Sequence, residues 1–387
     1  MQKLNVGFVF GGDSAESDVS VISMLIMEKT VRKIIDIEPY YLYLSKQNEF
    51  YLIDKNDMVI DTFKEENVKR LKNKIELLKG AKVCIQKGLK RKYICIDTII
   101  NVTHGGVGEN GVLSGYFELL KIKNSTYNHT ALGVCMDKNL FKNVARGLNI
   151  LVPDFTCFSK KEWEENRDYC IDNISALKLP LVVKPNASGS SLGVTVIKDF
   201  GELEEAVSVA FEFDNRVIVE KFIMNKVEFN CAVLGDENEV IVSDVDQVLK
   251  DSELFSFQDK YIGSSDSAPT KNELGSKMGG KSLGMEGASL LPAPIGAGLT
   301  KKIQDISAKL FSELGLSGIV RVDFLYDKNK KKLYVGEINS IPGSMALYFF
   351  QKSSIGSVGV IKKLIDIGLA SQNNKVKIDS KFIPKIF

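Results

Sequence analysis

The sequence predicts an α/β protein with more than one domain, and three observations support this fold class. The chain has 387 residues, which is long enough for two or three domains. Near the N-terminus, short apolar runs alternate with helical patterns, as they do in units of parallel strands joined by helices. Later in the chain, apolar and polar residues alternate within runs that short turns separate, a pattern typical of antiparallel sheets.

The composition excludes several classes of protein. Hydrophobic residues make up 44% of the chain and charged residues 26%, which is ordinary for a soluble globular protein. The 51 basic and 49 acidic residues leave a net charge of +2, which argues against a general nucleic-acid partner. No segment reaches the roughly 18 apolar residues that a membrane-spanning helix needs. We therefore expect no membrane partner either.

The numbers and spacing of cysteines and histidines limit the kinds of metal site and disulfide that the chain can form. Six cysteines occur without CxxC spacing, so we expect reduced thiols, most of them in the core of a cytoplasmic protein. Only two histidines occur, which excludes a histidine-rich metal site. Any bound metal must therefore have oxygen ligands.

The first hundred residues predict a small α/β domain whose loops follow the ends of parallel strands. Residues 4–10 form a buried strand, a glycine turn follows, and a helix begins at about Ser17. Further strands are predicted at Tyr40–Leu44, Glu49–Ile53 and Ile94–Val102. A strand, a glycine turn and a helix are typical of nucleotide binding, but GGDSAE lacks the GxGxxG spacing. This departure disfavours a nicotinamide-dependent dehydrogenase.

A second unit begins near Ser125. It contains a predicted helix at Asp137–Leu148, a hairpin with a Gly/Ser-rich loop at Leu179–Ile197, a helix at Gly201–Phe211 and a strand at Asn215–Glu220. The loop of the hairpin is too short for a crossover helix, so its two strands must be antiparallel.

A third unit begins near Val227 and contains a long polar stretch at residues 250–290. A stretch of this length without regular structure is usually a functional lid or a disordered insert. The other predicted elements are strands at Val227–Leu234, Glu239–Asp246, Ile319–Tyr326 and Lys332–Asn339, and helices at Thr300–Leu314 and Gly356–Ala370.

The strongest local signal is the pair of strands near residue 330. Glu337 and Asn339 are two residues apart, so they share one face of a strand, and antiparallel pairing brings Asp323 close to them. These oxygen ligands suit Mg²⁺ together with phosphate oxygens and water. Arg321 lies on the same face, where a cation would stabilise an anionic intermediate. The alternative is a surface ladder of charged side chains, and these residues alone do not separate the two.

Two further loops are candidates for binding. Lys184 ends a strand and precedes a Gly/Ser loop whose backbone N–H groups can bind phosphates, although a flexible hairpin is the simpler interpretation. His104 lies in THGGVGENG after a buried strand, where a buried histidine without a catalytic role is the simpler interpretation.

Seven motifs in order resemble the D-alanine–D-alanine ligase family of the ATP-grasp superfamily. The resemblance covers about residues 5 to 345, and it is carried by GGDSAESDVS, THGGVGENGVLSGYFELL, MDKNLFKNVARGL, VVKPNASGSSLGV, VIVEKFI, QDKY and RVDFLYDKNKKKLYVGEINSIPG. It implies an ATP-grasp fold in which ATP lies between two antiparallel sheets. The domains are then an N-terminal parallel-sheet domain (1–124), a central domain (125–225) and a C-terminal domain (226–387) with a lid at 250–290.

The same resemblance implies a role for each matching residue. The residues matched to ATP binding are Lys138, Lys184, Ser190, Ser191, Glu220, Lys221, Phe222, Ile223, Glu228 and, in the lid, Lys260. The residues matched to the first amino acid's site are Glu16, Ser190, Tyr261 and His104. The residues matched to Mg²⁺ are Asp323, Glu337 and Asn339, and those around the tetrahedral intermediate are Arg321 and the Gly343 amide.

The implied reaction joins two amino acids through an acyl phosphate in the cytoplasm. The resemblance implies ATP, two Mg²⁺ ions with Mn²⁺ as a substitute, small amino-acid substrates and a homodimer. The lid would exclude water, which would otherwise hydrolyse the acyl phosphate.

Two departures from the family pattern concern the second substrate. Bulky Tyr348 and Phe349 stand where the family supplies a small polar residue for the second amino acid's carboxylate, and the lid is some twenty residues longer than usual. Aromatic bulk at a small site should change which nucleophile fits. We therefore expect a carboxylate–amine ligase with an altered acceptor. The alternatives are a D-alanine–D-alanine ligase of peptidoglycan synthesis, a specialised amide- or peptide-forming ligase, and a non-catalytic nucleotide-binding module.

Overall fold

Three β-sheets organise the chain, in the order in which the sequence predicts them. The structure is a computed structural model that describes residues 3–87, 90–249 and 289–371. Within these ranges, no helix is both long and apolar enough to cross a membrane. The six cysteines are free thiols, and four of them are buried as expected.

The N-terminal sheet has seven strands in the spatial order β6-β5-β4-β3-β2-β1-β7. The strands are β1 (Leu4–Gly11), β2 (Ile37–Leu44), β3 (Phe50–Ile53), β4 (Lys74–Leu78), β5 (Lys82–Lys87), β6 (Lys90–Cys95) and β7 (Thr98–Asn101). Only β1, β2 and β7 are parallel to one another. The parallel sheet that the sequence predicts is therefore confined to these three strands, and four antiparallel strands extend it.

The prediction of one buried strand at Ile94–Val102 is wrong. The segment is divided between β6, an exposed strand at the sheet edge, and β7, which is fully buried beside β1. Asp97 lies between them, and its carboxylate accepts a hydrogen bond from the Asn5 backbone N–H at 2.7 Å. The chain thus turns at a polar residue inside an apolar run, so the run serves two strands of different exposure.

The other two sheets are antiparallel, as predicted. The central sheet has the order β10-β9-β11-β8, and the C-terminal sheet has the order β14-β13-β12-β15-β16. The central strands are β8 (Phe155–Ser159), β9 (Leu181–Pro185), β10 (Thr195–Ile197) and β11 (Arg216–Lys221). The C-terminal strands are β12 (Lys226–Gly235), β13 (Val240–Val248), β14 (Ser289–Leu290), β15 (Gly318–Asp327) and β16 (Lys332–Asn339).

Helices cover these sheets, and several begin at residues that cap them. The side chains of Asn128 and Asp137 accept hydrogen bonds from backbone N–H groups in the first turns of α5 and α6. The α-helices are α1 (Ser17–Val31), α2 (Glu65–Val68), α3 (Gly106–Glu109), α4 (Val112–Leu119), α5 (His129–Met136), α6 (Lys138–Gly147), α7 (Lys160–Glu165), α8 (Arg167–Ala176), α9 (Leu203–Phe211), α10 (Ala297–Glu313) and α11 (Gly356–Ala370). The 3₁₀ segments are Ile60–Phe63, Phe200–Glu202 and Gly343–Phe350.

One hydrophobic core joins the two ends of the chain. Phe8 and Met24, from β1 and α1, share a buried cluster with Phe350 of the last 3₁₀ segment and Leu364 of α11. The loops after β1 and β7 therefore lie against the segment that follows β16. This packing places the glycine-rich N-terminal loops beside the polar end of the C-terminal sheet.

Candidate active site

Glu16 joins the N-terminal loop to the Gly/Ser loop of the central sheet. Its carboxylate accepts a hydrogen bond from the Ser190 hydroxyl. A Cβ atom added at Gly189 would stand 2.6 Å from the Glu16 Oε2 atom, and one added at Gly105 would stand equally close. A side chain at either position would therefore displace this carboxylate, and Gly105 also has a left-handed φ of 63° that favours glycine. Ser190 and Ser191 have left-handed backbones, with φ of 51° and 60°.

Three lysines gather where the central sheet meets the C-terminal sheet. The Lys184 Nζ atom lies 2.9 Å from the Glu220 Oε1 atom, and the Lys142 Nζ atom lies 3.3 Å from the same oxygen. Lys138 donates to the Ser188 carbonyl oxygen and lies 3.7 Å from the Glu337 Oε2 atom. Burial favours a higher pKa for Glu220, but the two lysines at its carboxylate hold the pKa below its ordinary value. The carboxylate is thus ionised and neutralised within the cleft.

Lys142 is a site residue that the sequence analysis missed. Its side chain is completely buried, and its Nζ atom also donates to the Gly336 carbonyl oxygen at 2.9 Å. The register shifts between β15 and β16 at this point, so Gly336 falls between the cross-strand pairs and its carbonyl can accept this bond. Burial lowers the pKa of Lys142 to about 8. The signal was present in MDKNLFK, where two lysines four residues apart share one helix face.

The connection from β11 to β12 holds the residues matched to the adenine-binding hinge. The Lys221 Nζ atom donates to the carbonyl oxygens of Lys178 and Leu179, at 2.6 and 2.8 Å. The Phe222 backbone N–H donates to the Pro180 carbonyl oxygen, and the Ile223 side chain is buried. Glu228 follows on β12, with its Oε1 atom 3.2 Å from the Lys226 Nζ atom. These residues lie along one connection between the two sheets.

The candidate metal ligands come together as the sequence predicts. The register of β15 and β16 sets Asp323 opposite Glu337 and Arg321 opposite Asn339. The Asn339 Nδ2 atom donates to Asp323 at 3.0 Å, and Arg321 makes two hydrogen bonds to the same carboxylate, at 2.7 and 2.8 Å. Across the described ranges, no group of three or more His, Cys, Asp or Glu side chains is arranged to hold a metal. A metal here would therefore depend on two carboxylates and one amide oxygen.

His104 is buried and hydrogen-bonded to neighbouring residues. Its Nε2 atom lies 3.0 Å from the Ser23 hydroxyl oxygen, and the Ile341 backbone also hydrogen-bonds the ring. Burial lowers the pKa of His104 to about 4, and Arg321 lowers it further against the opposing effect of Ile341. The imidazole is therefore neutral at physiological pH, and Ser23 and the Ile341 backbone hold it within the protein.

Glu109 is a second residue that the sequence analysis missed, although it lies within the THGGVGENG motif. Its carboxylate accepts from the Gly105 N–H at 3.0 Å and from the Ile341 N–H at 3.3 Å. Burial raises its pKa to about 7, and the charge of Glu16 acts in the same direction. Glu109 thus ties the His104 loop to the segment after β16.

Of the remaining predicted residues, Gly343 and Tyr348 lie in the segment that follows β16, and two others lie outside the described residues. Around Gly343, no heavy atom of the described chain, its neighbours in sequence aside, lies within 4 Å of an added Cβ atom. Tyr348 is partly exposed as a residue, but its hydroxyl oxygen is buried. Lys260 and Tyr261, with most of the predicted lid, lie outside the described residues.

Comparisons with known proteins identify the family of this chain. A family model described as the D-ala D-ala ligase N-terminus matches residues 5–125, and one described as the C-terminus matches residues 144–278 and 278–367. A D-alanine–D-alanine ligase of Thermosipho melanesiensis is 33% identical over 386 residues, 98% of each chain. One from Caldicellulosiruptor bescii is 30% identical over 99% of each chain.

Solved structures give the same family. The VanG D-Ala:D-Ser ligase from Enterococcus faecalis superposes with a TM-score of 0.77 at 26% identity, covering 95% of this chain and all of the other. The D-alanine–D-alanine ligase from Helicobacter pylori superposes with a TM-score of 0.70, also at 26% identity, covering 94% of this chain and 98% of the other. With both family models matched across most of its length, the chain belongs to the D-alanine–D-alanine ligase family.

Proposed function

We propose that this protein is an ATP-dependent ligase that joins two small D-amino acids through an acyl phosphate, with D-alanine as the first substrate. The observation that carries the proposal is the contact between Glu16 and Ser190, which joins the N-terminal loop to the Gly/Ser loop beside a cleft lined with lysines. A glutamate side chain at this place suits the ammonium group of an amino acid. The full-length similarity to ligases of this name supports the same function.

ATP fits between the central and C-terminal sheets. Lys138 and Lys184 approach this cleft from α6 and β9, and the backbone of the Gly/Ser loop, with Ser190 and Ser191, offers N–H groups for phosphate oxygens. The connection at Lys221–Ile223 offers main-chain groups for the adenine, and Glu228 offers a carboxylate for the ribose. Lys260 of the lid would contact the γ-phosphate.

The donor set on β15 and β16 fits Mg²⁺, with Mn²⁺ as a substitute. Asp323, Glu337 and the Asn339 amide oxygen are hard oxygen donors on facing positions of paired strands. Three protein donors leave the remaining positions to phosphate oxygens and water, which favours two ions bound together with the nucleotide. When bound, the metal would neutralise charge on the phosphates during transfer.

Different residues of the chain then act in each of the two chemical steps. The first substrate's carboxylate attacks the γ-phosphorus of ATP, ADP leaves, and Lys138 and Lys184 neutralise the charge that spreads over the transferring group. The amine of the second substrate attacks the carbonyl carbon of the acyl phosphate, loses a proton, and inorganic phosphate leaves. Arg321 and the Gly343 amide stabilise the negative oxygen of the tetrahedral intermediate.

A second candidate function has D-serine as the acceptor. Among the described residues, the buried Tyr348 hydroxyl has no hydrogen-bond partner, and burial raises its pKa, so it remains a protonated donor. A polar side chain on the acceptor would satisfy this group, whereas the methyl group of D-alanine would not. The similarity to a structure described as a D-Ala:D-Ser ligase supports the candidate.

The test is phosphate release and product identification with ATP, D-alanine and a panel of second substrates that includes D-alanine, D-serine, simple amines and hydroxy acids. We expect a dipeptide that contains D-alanine, and no turnover by Glu337→Ala. Efficient formation of D-alanyl-D-alanine alone would refute an altered acceptor and favour a ligase of peptidoglycan synthesis. ATP binding without turnover would indicate a non-catalytic module.

The cytoplasmic location and the homodimer stay predictions, to be checked by fractionation and by molecular mass in solution.

A further inference from the structure

Ser23 connects the N-terminal helix α1 to the backbone beside Gly343. The Ser344 backbone N–H donates to the Ser23 hydroxyl oxygen at 2.9 Å, and the same hydroxyl lies 3.0 Å from the His104 Nε2 atom. Because the Ser23 hydroxyl oxygen accepts from the Ser344 N–H, its own proton is available for donation to the Nε2 atom of the neutral imidazole. Both side chains are buried, so water does not compete for these bonds.

The backbone that Ser23 contacts has an unusual conformation. Ser344, Met345 and Ala346 have φ angles of 50°, 50° and 47°, which places three consecutive non-glycine residues in the left-handed region. The left-handed region is unfavourable for residues that have a Cβ atom, so surrounding contacts must hold the segment in place. The Met345 N–H bonds to the Pro342 carbonyl oxygen within the segment, at 2.9 Å. The N-terminal helix supplies the contact from outside it.

The other side of Gly343 is held by the same domain. The Glu109 carboxylate accepts hydrogen bonds from the Ser340 hydroxyl and from the Ile341 N–H, at 3.4 and 3.3 Å. Gly343 therefore lies between two backbone positions, Ile341 and Ser344, that N-terminal side chains fix. Its own surroundings are open on the side where a Cβ would project.

We propose that Ser23 is a positioning residue: with His104 as its acceptor, it holds the Ser344 amide and so orients the Gly343 amide for acyl transfer to the second substrate. The proposal rests on the proposed function, because it assigns Gly343 to the second chemical step. It predicts that Ser23 matters for the attack of the amine and not for formation of the acyl phosphate.

Ser20 offers a matched control one helical turn away. Its hydroxyl is also buried on α1, donates to the Val102 carbonyl oxygen at 2.8 Å and accepts from the Gly11 N–H at 2.8 Å. Both partners of Ser20 lie within the N-terminal domain. Ser20→Ala and Ser23→Ala thus remove one buried hydroxyl with two hydrogen bonds each, but only Ser23→Ala releases Ser344.

The experiment compares the two variants in both chemical steps, with ATP, D-alanine and whichever acceptor the wild type uses. Acyl-phosphate formation is followed by isotope exchange between the bridging and non-bridging oxygens of the ATP β-phosphate, and ligation by product formation. We expect Ser23→Ala to lower kcat for ligation about tenfold while isotope exchange stays within about twofold of the wild type. Ser20→Ala should stay within about twofold in both measurements.

Hydrogen–deuterium exchange provides a readout that does not depend on activity. The peptide that contains Ser344 should exchange about tenfold faster in Ser23→Ala than in Ser20→Ala, and Ser23→Thr, which keeps the hydroxyl, should restore slow exchange. If Ser23→Ala fails to fold, His104→Gln serves as the second variant. Its side-chain amide offers an oxygen to Ser23, and the Ser344 amide should then remain protected.

Equal kinetic losses in the Ser20 and Ser23 variants would overturn the proposal, as would loss of isotope exchange in parallel with ligation. Unchanged exchange of the Ser344 peptide in Ser23→Ala would overturn it as well. These results differ from a failure of the proposed function, in which the wild type itself forms no product from ATP and amino acids. That failure would overturn both.

Discussion

Glu109→Gln tests whether burial, rather than a partner, controls the ionisation of the carboxylate that ties two loops together. The Glu109 carboxylate is enclosed by the His104 loop and the Ser340–Ile341 backbone, and its pKa rises from 4.5 to about 7. Glutamine has nearly the same shape and no charge to lose, but its single oxygen can accept from only one of the Gly105 and Ile341 N–H groups, which bond to different oxygens of Glu109. The substitution therefore separates the shape of the group from its titration.

The magnitude follows from the linkage between proton binding and folding. Between pH 4.5 and about 7 the folded protein keeps the proton on Glu109 that the unfolded chain loses, so stability falls as pH rises through this window. A difference of about 2.5 in pKa corresponds to about 3 kcal/mol. We expect the wild type to lose this amount relative to Glu109→Gln between pH 4.5 and 8. At the acid end, the two proteins should agree within about 1 kcal/mol.

The assay is urea unfolding of both proteins at half-unit steps from pH 4.5 to 8.5, read as the difference between the two curves. Other groups that titrate here, including His104 and Asp246, are present in both proteins and cancel in the difference. Infrared spectroscopy should also show a protonated carboxyl band that disappears near pH 7 in the wild type and is missing from the variant, whereas the band of Asp246, which is lost near pH 6, should appear in both. A flat difference curve would refute the reasoning, as would titration of Glu109 near pH 4.5.

Three further substitutions test the rest of the site. In initial-rate kinetics, Glu16→Gln should raise KM for the first amino acid at least tenfold and KM for ATP less than twofold. The reverse pattern would indicate that the N-terminal glycine turn binds the nucleotide. Lys142→Met leaves Glu220 with one lysine and removes the donor to the Gly336 carbonyl, so KM for ATP should rise about tenfold. Lys142→Arg keeps the charge and should raise KM for ATP less. Equal increases in both variants would indicate that the fit of the side chain, and not its charge, matters. Tyr348→Ser should shift kcat/KM toward D-alanine as acceptor by about tenfold in a competition assay, and an unchanged product ratio would remove Tyr348 from specificity.

Local patterns predicted those parts of the fold that depend on near neighbours in sequence. The hairpin at Leu179–Ile197 and the pairing of β15 with β16 each follow from apolar alternation around a short turn, and both are present. Strands β4 and β5, and the part of β6 before Ile94, were not predicted: β4 alternates over only five residues, and β6, at the sheet edge, is almost wholly exposed. Their place in the sheet is fixed by tertiary pairing that no local pattern specifies.

Among the site residues, too, those brought together by local strand geometry were predicted, and those that depend on long-range contacts were not. Asp323, Glu337 and Asn339 were predicted together because strand geometry alone brings them to one face. Lys142 was missed because a buried lysine makes sense only once its acceptors on β11 and β16 are known. Ser23 could not be predicted, because a serine on a largely buried helix has no link to the site until its contact with the distant Ser344 backbone is known.

These long-range contacts give the N-terminal domain a specific part in the chemistry. Glu16 bonds to Ser190 in the loop that would cover the phosphates, while Glu109 and Ser23 bond to the backbone on either side of Gly343. Under the proposed function, one domain therefore fixes the loop used in the first chemical step and the amide used in the second. Because both sets of contacts begin in loops and a helix at one end of the same sheet, displacement of that domain would disturb both steps together. The separate kinetic effects expected for Glu16→Gln and Ser23→Ala arise only if the domain stays in place.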